Sequence, residues 1–290
     1  MKTVRTICFV TVVLFLCACP ALGWLQFKDG QTHDIDYSIS DDVWVDYQAP
    51  SMFTTVNWLS GGSINSPYKL QGFEQSRINI RGGSIGWVLS AYDSTQVDIS
   101  SGSIDYLQSY GSSHVNMSGG SINNNLSSYG SSQVNMSGGS ISYLYSCDSS
   151  QVNISGGSIF GYLYIYGSSQ VDISGGEIGY LYSCDSSQVD ITGGSIGGDL
   201  ILWNQSMMQI FGSDFAVDGE PFGYGELTSI LGGDPGYEPH RRLTGTLASG
   251  ELFNNQFKIG YDARIVLIPE PATMALLGIG LLFLRKGRIN

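Results

Sequence analysis

The chain has 290 residues, enough for one or two domains. Glycine (39 residues) and tyrosine (17 residues) are abundant, whereas charged residues make up only 13%, about half the usual share. The segment from residue 24 to residue 271 carries 25 acidic and 8 basic residues, a net charge of −17. Because so acidic a surface repels nucleic acid and no basic aromatic patch is present, nucleic acid is excluded as a partner.

The first 23 residues have the pattern of an export signal. Lys2 and Arg5 precede an apolar run, Ile7 to Cys17, that is too short to span a bilayer comfortably. Small residues at 21 and 23 predict cleavage before Trp24. A buried first helix and a lipoprotein-type cleavage box at residues 16–19 are the alternatives. We therefore expect a signal peptide over residues 1–23 and an exported body.

A repeat dominates the middle of the chain and begins near residue 60. The segment Gly-Gly-Ser-Ile, with small variations, recurs at intervals of 18, 19 or 21 residues. Its isoleucines are Ile64, Ile85, Ile104, Ile122, Ile141, Ile159, Ile178 and Ile196. Glycine pairs and serine clusters disfavour helix, while Val-Asn-Ile and Val-Asp-Ile alternate with the period of a strand. Each unit is therefore predicted to hold about three short strands.

Units of this length cannot bury their few apolar residues alone and must stack. We predict an all-β fold, a parallel β-helix of seven or eight rungs. A right-handed coil is favoured over a left-handed one, because the apolar positions do not recur every six residues, and a β-sandwich or a β-prism is the rival fold. The inward columns are predicted to be the isoleucines, the leucines from Leu107 to Leu200, and the Val-x-Ile pairs. The predicted domains are an N-terminal cap (24–59), the β-helix (60–212), a C-terminal cap and stalk (213–268), and a tail (269–290).

Outward positions form polar and aromatic columns. Between the inward Val and Ile lies an amide or a carboxylate, and we interpret this column as a hydrogen-bonded ladder. A cation site at Asp172 and Asp190 is the competing hypothesis, because these residues are one rung apart. Tyrosines form further columns, and stacking within the protein is the simplest interpretation. The alternative is a ligand platform for sugars or another protein, at Tyr143, Tyr145, Tyr162, Tyr164, Tyr180 and Tyr182.

Cysteine positions predict thiols rather than a disulfide in the body. Cys147 and Cys184 are the two cysteines outside the predicted signal. They occupy equivalent positions two rungs apart, which implies a separation of about 9–10 Å. That distance is beyond the reach of a disulfide.

Catalysis is not predicted. Polysaccharide lyases with a β-helix need a cationic group, and no Lys or Arg occurs between residues 84 and 240. Hydrolases need two carboxylates in a groove. Carboxylates are present mostly as elements of the repeat, at Asp98, Asp105, Asp172, Glu177, Asp185, Asp190 and Asp199. The histidines His33, His114 and His240 are scattered, so no metal or cofactor is expected.

The end of the chain contains a short motif. Pro269-Glu270-Pro271 is followed by an apolar run to Leu284 and by Arg285, Lys286 and Arg288. The run is about 13 residues long, below the roughly 20 of a stable span, and the basic cluster favours the cytoplasmic side. We predict a short hydrophobic helix that holds the chain in the membrane at least transiently. An ordinary single-span anchor is the alternative.

This tail resembles the PEP-CTERM sorting signal of bacterial surface and matrix proteins, and the resemblance covers the last 22 residues. It implies processing by an exosortase near Pro-Glu-Pro and delivery to the cell envelope, the outer surface or the extracellular matrix. The body looks like an autotransporter-type β-helix.

From tail and body together we expect a non-catalytic structural or adhesive protein. A carbohydrate-binding module that uses the tyrosine columns is the first alternative, and a polysaccharide hydrolase is the second. The expected partners are an exosortase and, in the matrix, exopolysaccharide or other surface proteins.

Overall fold

The computed structural model describes residues 24–270, apart from residues 48, 50, 51, 229–240 and 261, and this part is all-β. Consecutive turns of the chain pair in parallel, which builds a β-solenoid of about ten turns. The predicted parallel β-helix is thus confirmed, and the sandwich and prism alternatives are excluded by the pairing of each turn with the next. The predicted C-terminal helix lies outside the described residues, and the handedness stays a prediction.

The first turns are built from short strands. They are β1 (Trp24–Phe27), β2 (Thr32–Ile35), β3 (Ser38–Ile39), β4 (Asp42–Val45), β5 (Thr55–Trp58), β6 (Ser63–Asn65) and β7 (Leu70–Gly72). The pairs β1–β4, β2–β5 and β3–β6 are parallel and lie in the register that the later turns keep. The solenoid therefore continues into residues 24–59, which is one reason why its turns outnumber the predicted seven or eight.

The central turns are built from long strands. They are β8 (Arg77–Ala91), β9 (Gln96–Ser109), β10 (His114–Ser128), β11 (Gln133–Ser146), β12 (Gln151–Ile165), β13 (Gln170–Ser183), β14 (Gln188–Ile196) and β15 (Leu200–Leu202). The sequence predicted about three short strands in each unit. Most of these turns instead contain one strand of 14 or 15 residues. Its register shifts at the glycine pair and again after the isoleucine of the Gly-Gly-Ser-Ile segment. The glycines bend the strand without ending its hydrogen bonding.

Apolar side chains form continuous columns inside the coil. Ile122, Ile141 and Ile159 pair in register in successive turns, and so do Leu126, Leu144 and Leu163. All of these side chains are buried, as are the Val and Ile or Met of the Val-x-Ile segments. The predicted inward columns are confirmed, and burial of their apolar surface is the main stabilising contribution.

Tight turns connect one long strand to the next. The second residue of each turn has a left-handed backbone, as at Gly130 (φ 69°) and Asp148 (φ 60°). Glycine adopts this region without strain, and Asp and Asn tolerate it better than most residues do. Inside the turn, the Ser146 and Ser150 hydroxyls form a buried hydrogen bond of 2.9 Å. A polar column thus runs through the core with its hydrogen bonds satisfied.

The C-terminal segment closes the coil with antiparallel strands. It contains β16 (Met207–Val217), β17 (Glu220–Pro221), β18 (Gly225–Thr228), β19 (Arg241–Leu247), β20 (Leu252–Ile259) and β21 (Arg264–Pro269). Strands β20 and β21 add parallel pairings to β15 and β16, whereas β19 pairs antiparallel with both β16 and β20. Strand β18 pairs antiparallel with β21.

Candidate functional site

The predicted tyrosine platform lies on one outer sheet of the solenoid. Alternation along β11, β12 and β13 points the leucines inward and the flanking tyrosines outward. Tyr145 and Tyr164 stack with their ring centroids 4.9 Å apart, and Tyr162 stacks on Tyr180 at 4.8 Å. Tyr162 also stacks beside Tyr164 at 5.0 Å. The structure therefore brings Tyr145, Tyr162, Tyr164 and Tyr180 together in one stacked cluster, with Tyr182 tilted against Tyr164 at 5.9 Å. Within the described residues, no ring contact joins Tyr143 to this cluster.

A second aromatic column runs beside this cluster. Phe73, Tyr92, Tyr110 and Tyr129 stack nearly parallel, with centroid separations of 5.1 to 5.2 Å. In such a stack each ring covers the face of its neighbour, and the edges and hydroxyl groups are what solvent reaches. The column thus offers a line of phenol groups rather than a set of open ring faces.

Two rings of the platform are more exposed than the rest. Tyr143 and Tyr180 keep 40% and 41% of their surface accessible. On one side each ring packs over the backbone of a glycine in the next turn, Gly161 for Tyr143 and Gly198 for Tyr180. Their outer surfaces are the part of the platform that an external ligand could contact.

Four tyrosine hydroxyls of this face have a raised pKa. Partial burial, followed by the neighbouring Tyr182 and Tyr164, raises the pKa of Tyr166 to about 12. Burial also raises the pKa of Tyr145, Tyr164 and Tyr182 above the usual value. The face therefore carries neutral hydroxyl groups that can donate and accept hydrogen bonds.

Both cysteines of the described body are free thiols, as predicted. Their backbone hydrogen bonds place them two turns apart, with Tyr166 in the turn between. Burial is the main cause that raises the pKa of both thiols. A raised thiol pKa lowers the thiolate fraction, so neither cysteine has the character of a nucleophile.

The outward amide column is a hydrogen-bonded ladder. The Nδ2 of Asn116 donates to Asp98 at 2.7 Å, Asn135 donates to Asn116 at 2.9 Å, and Asn153 donates to Asn135 at 2.8 Å. The ladder then meets two carboxylates, because Asp172 follows Asn153 and Asp190 follows Asp172. Within the described residues no group of three or more His, Cys, Asp or Glu side chains could hold a metal ion.

A cavity that the sequence analysis missed lies at the edge of the glycine corner. It has a volume of about 250 Å³, and Phe160, Glu177, Ser158, Ser195, Gly179 and Gly197 are among its lining residues. Glu177 interrupts a column that holds serine in the turns on either side. Phe160 follows the isoleucine of its turn, where the other turns have Asn, Asp, Ser or Gly. Comparing the repeats position by position would have shown both departures.

The sorting motif begins within the last strand. Pro269 is the final residue of β21, where it pairs with Gly212, and Glu270 follows directly. Pro271, Arg285, Lys286 and Arg288 lie outside the described residues. The motif is therefore joined to the solenoid without a linker on its N-terminal side.

Comparison with protein families finds the PEP-CTERM protein-sorting motif at residues 267–288. The motif indicates an exported protein that an exosortase processes and sorts to the cell surface. No curated protein and no solved structure matches the chain. Within residues 24–270, as far as they are described, no helix is long and apolar enough to cross a membrane.

Proposed function

We propose that this exported, exosortase-sorted chain is a non-catalytic structural or adhesive protein of the cell surface or the extracellular matrix. The observation that carries the proposal is the continuity of the ladders. Apolar, amide and tyrosine columns run through the central turns in register, and the turns differ little from one another. A stiff rod with a uniform surface suits a scaffold, whereas an active site normally requires residues that differ from the repeat.

Charge supports the same proposal. With a net charge of −17 between residues 24 and 271, neighbouring copies and acidic polymers are repelled from most of the surface. The tyrosine-bearing sheet is different, since the outward tyrosines of β11–β13 give it an aromatic and uncharged surface. They are Tyr143, Tyr145, Tyr162, Tyr164, Tyr180 and Tyr182. Contacts with a matrix are therefore expected to form on this sheet.

A domain exchange tests the structural role separately from sorting. One strain of an exosortase-bearing bacterium would express the full chain, and a second would express an unrelated secreted domain fused to residues 267–290. Surface display is measured by protease accessibility, and cohesion by the shear force that disperses the matrix. We expect equal display but stronger cohesion with the solenoid. Equal cohesion in the two strains would remove the proposal.

The second candidate is a carbohydrate-binding module that uses the tyrosine platform. The accessible outer surfaces of Tyr143 and Tyr180 favour it, together with the neutral hydroxyls around them. Replacement of Tyr143, Tyr145, Tyr162 and Tyr164 by Ser should abolish retention on matrix polysaccharide if the platform binds sugar. Unchanged retention by a folded variant would leave only the structural role.

A direct assay addresses the second alternative of the sequence analysis, a polysaccharide hydrolase. Its signature is the release of new reducing ends from extracellular polysaccharide. The cavity around Phe160 contains a single titratable side chain, Glu177, whereas glycoside hydrolysis normally uses two carboxyl groups. The expected result is no release above the buffer control.

A further inference from the structure

We propose that the cavity between Phe160 and Glu177 binds one uncharged pyranose unit of a polysaccharide. This site is distinct from the tyrosine platform. The proposal does not depend on the structural role, since the solenoid could act as a scaffold whether or not the cavity binds a sugar. Two departures from the repeat, one aromatic and one acidic, lie in neighbouring turns and line the same cavity. In a nearly uniform solenoid, two departures from the repeat that line one cavity indicate that this cavity has a function of its own.

Phe160 provides the apolar side of the site. It is 70% exposed, and it contacts no other aromatic ring in the described part of the chain. In both stacked tyrosine columns, neighbouring rings cover part of each other's surface, whereas the ring of Phe160 stays accessible to a ligand. The C–H side of a pyranose ring is apolar, so covering Phe160 with it removes apolar surface from water on both partners.

Glu177 provides the polar side. Within the described residues its carboxylate makes no hydrogen bond and no ion pair, although it lines the cavity. A carboxylate has two oxygens that accept hydrogen bonds, which matches two neighbouring hydroxyl groups of a sugar. The hydroxyls of Ser158 and Ser195 flank it in the adjacent turns and can donate or accept.

Shape and charge restrict the ligand class. The volume of about 250 Å³ is below the roughly 300–1,000 Å³ of pockets that enclose a drug-sized ligand, so a single ring is the expected occupant. Gly197 lines the cavity, and a Cβ added there would have no atom closer than 3.8 Å. Glu177 and the acidic body disfavour uronic acids and other anionic sugars. One carboxylate alone is also too few ligands for a calcium site.

Affinity electrophoresis of the secreted body tests the proposal. The gels contain dextran, soluble starch, hydroxyethylcellulose, galactomannan or, as an anionic comparison, alginate. We expect retardation by at least one of the four neutral polymers and none by alginate. Phe160→Ser and Glu177→Ser should each reduce the binding constant at least tenfold. Both changes install residues that equivalent turns already contain, so the fold should persist, and circular dichroism checks this.

Matched controls are available elsewhere in the chain. Tyr37→Ser removes another exposed aromatic ring and Glu220→Ser another exposed glutamate, and neither should change the retardation. Gly197→Val should block binding, and its Cβ would meet no atom closer than 3.8 Å in the empty protein. Retardation by none of the neutral polymers would overturn the proposal. So would retention of full binding by folded Phe160→Ser and Glu177→Ser proteins. Neither result would bear on matrix cohesion, which is measured separately.

Discussion

Single residues decide where the amide ladder stops. Each Asn of the ladder donates its Nδ2 to the preceding turn, so the chain of donors has a direction. Asp172 and Asp190 continue the column but cannot donate when ionised. Their side chains lie one turn apart in register and carry the same charge. Desolvation, with a further contribution from the charge of Asp172, raises the pKa of Asp190 above 3.8.

The raised pKa gives a pH-dependent contribution to stability. Protonated Asp190 is favoured in the folded state, so this contribution is present in full below the unfolded pKa. It is lost as the pH rises through the folded pKa. Asp190→Asn should therefore stabilise the protein at pH 7, by about 0.5 kcal/mol, and flatten the pH profile above pH 4. Urea unfolding at pH 4 and pH 7 measures both effects.

The control for this prediction lies in the same column. Asp98 has Asn neighbours on both sides, Asn79 and Asn116. Asp98→Asn removes a carboxylate of the same column that has no acidic neighbour in register, so it should not stabilise the protein at pH 7. If Asp190→Asn retains the full difference in stability between pH 4 and pH 7, the carboxylate of Asp190 is not its source.

Within most long strands a glycine pair forms the bend, and β9 has Ser101 in place of the first glycine. The first glycine lies close under a carbonyl oxygen of the preceding turn, since a Cβ at Gly138 would be 2.4 Å from the Ser118 oxygen. The second glycine has a left-handed backbone, with φ of 81° at Gly139. At Gly138 the contact leaves no room for a side chain, and at Gly139 the backbone conformation disfavours one.

Both positions should be sensitive to alanine. Gly138→Ala forces the two turns apart, and Gly139→Ala strains the backbone, so each should destabilise the protein by about 1–3 kcal/mol. Gly197→Ala serves as the comparison, because its added Cβ would meet no atom closer than 3.8 Å, and it should change stability little. Thermal unfolding measures the destabilisation of the three variants, and three equal melting temperatures would contradict the steric explanation.

Across the whole molecule, stability is organised along one dimension. Each turn pairs with the turn before it and the turn after it, and equivalent residues occupy the same columns. The free energy of unfolding of such an array approximates a sum over turns and their interfaces. Removing one complete turn should therefore preserve every column, whereas removing part of a turn should not.

Deletion of residues 133–150 removes one 18-residue unit and joins Ser132 to Gln151, the residue that pairs in register with Gln133. The shortened protein should remain folded, with its long dimension reduced by about 5 Å. Small-angle scattering and circular dichroism measure both properties. Deletion of residues 133–141 is the contrasting variant and should abolish the cooperative transition. A full-turn deletion that unfolds the protein would show that the turns are not interchangeable.

Much of this architecture could be predicted from the sequence, because a repeat of nearly constant length fixes which residues lie above one another. The positions of Ile122, Ile141 and Ile159 follow from that spacing, and so do the separation of Cys147 from Cys184 and the tyrosine columns. The tail motif was also readable, because its signal lies in a short contiguous segment.

Only the tertiary structure decided what the non-repetitive parts do. Residues 24–59 form turns although they lack the repeat, because parallel pairing uses backbone hydrogen bonds that any sequence can supply. The strand bends at its glycines instead of ending, and neighbouring rings cover much of the tyrosine faces. Phe160 and Glu177 lie in different turns, so their shared cavity exists only after the turns stack.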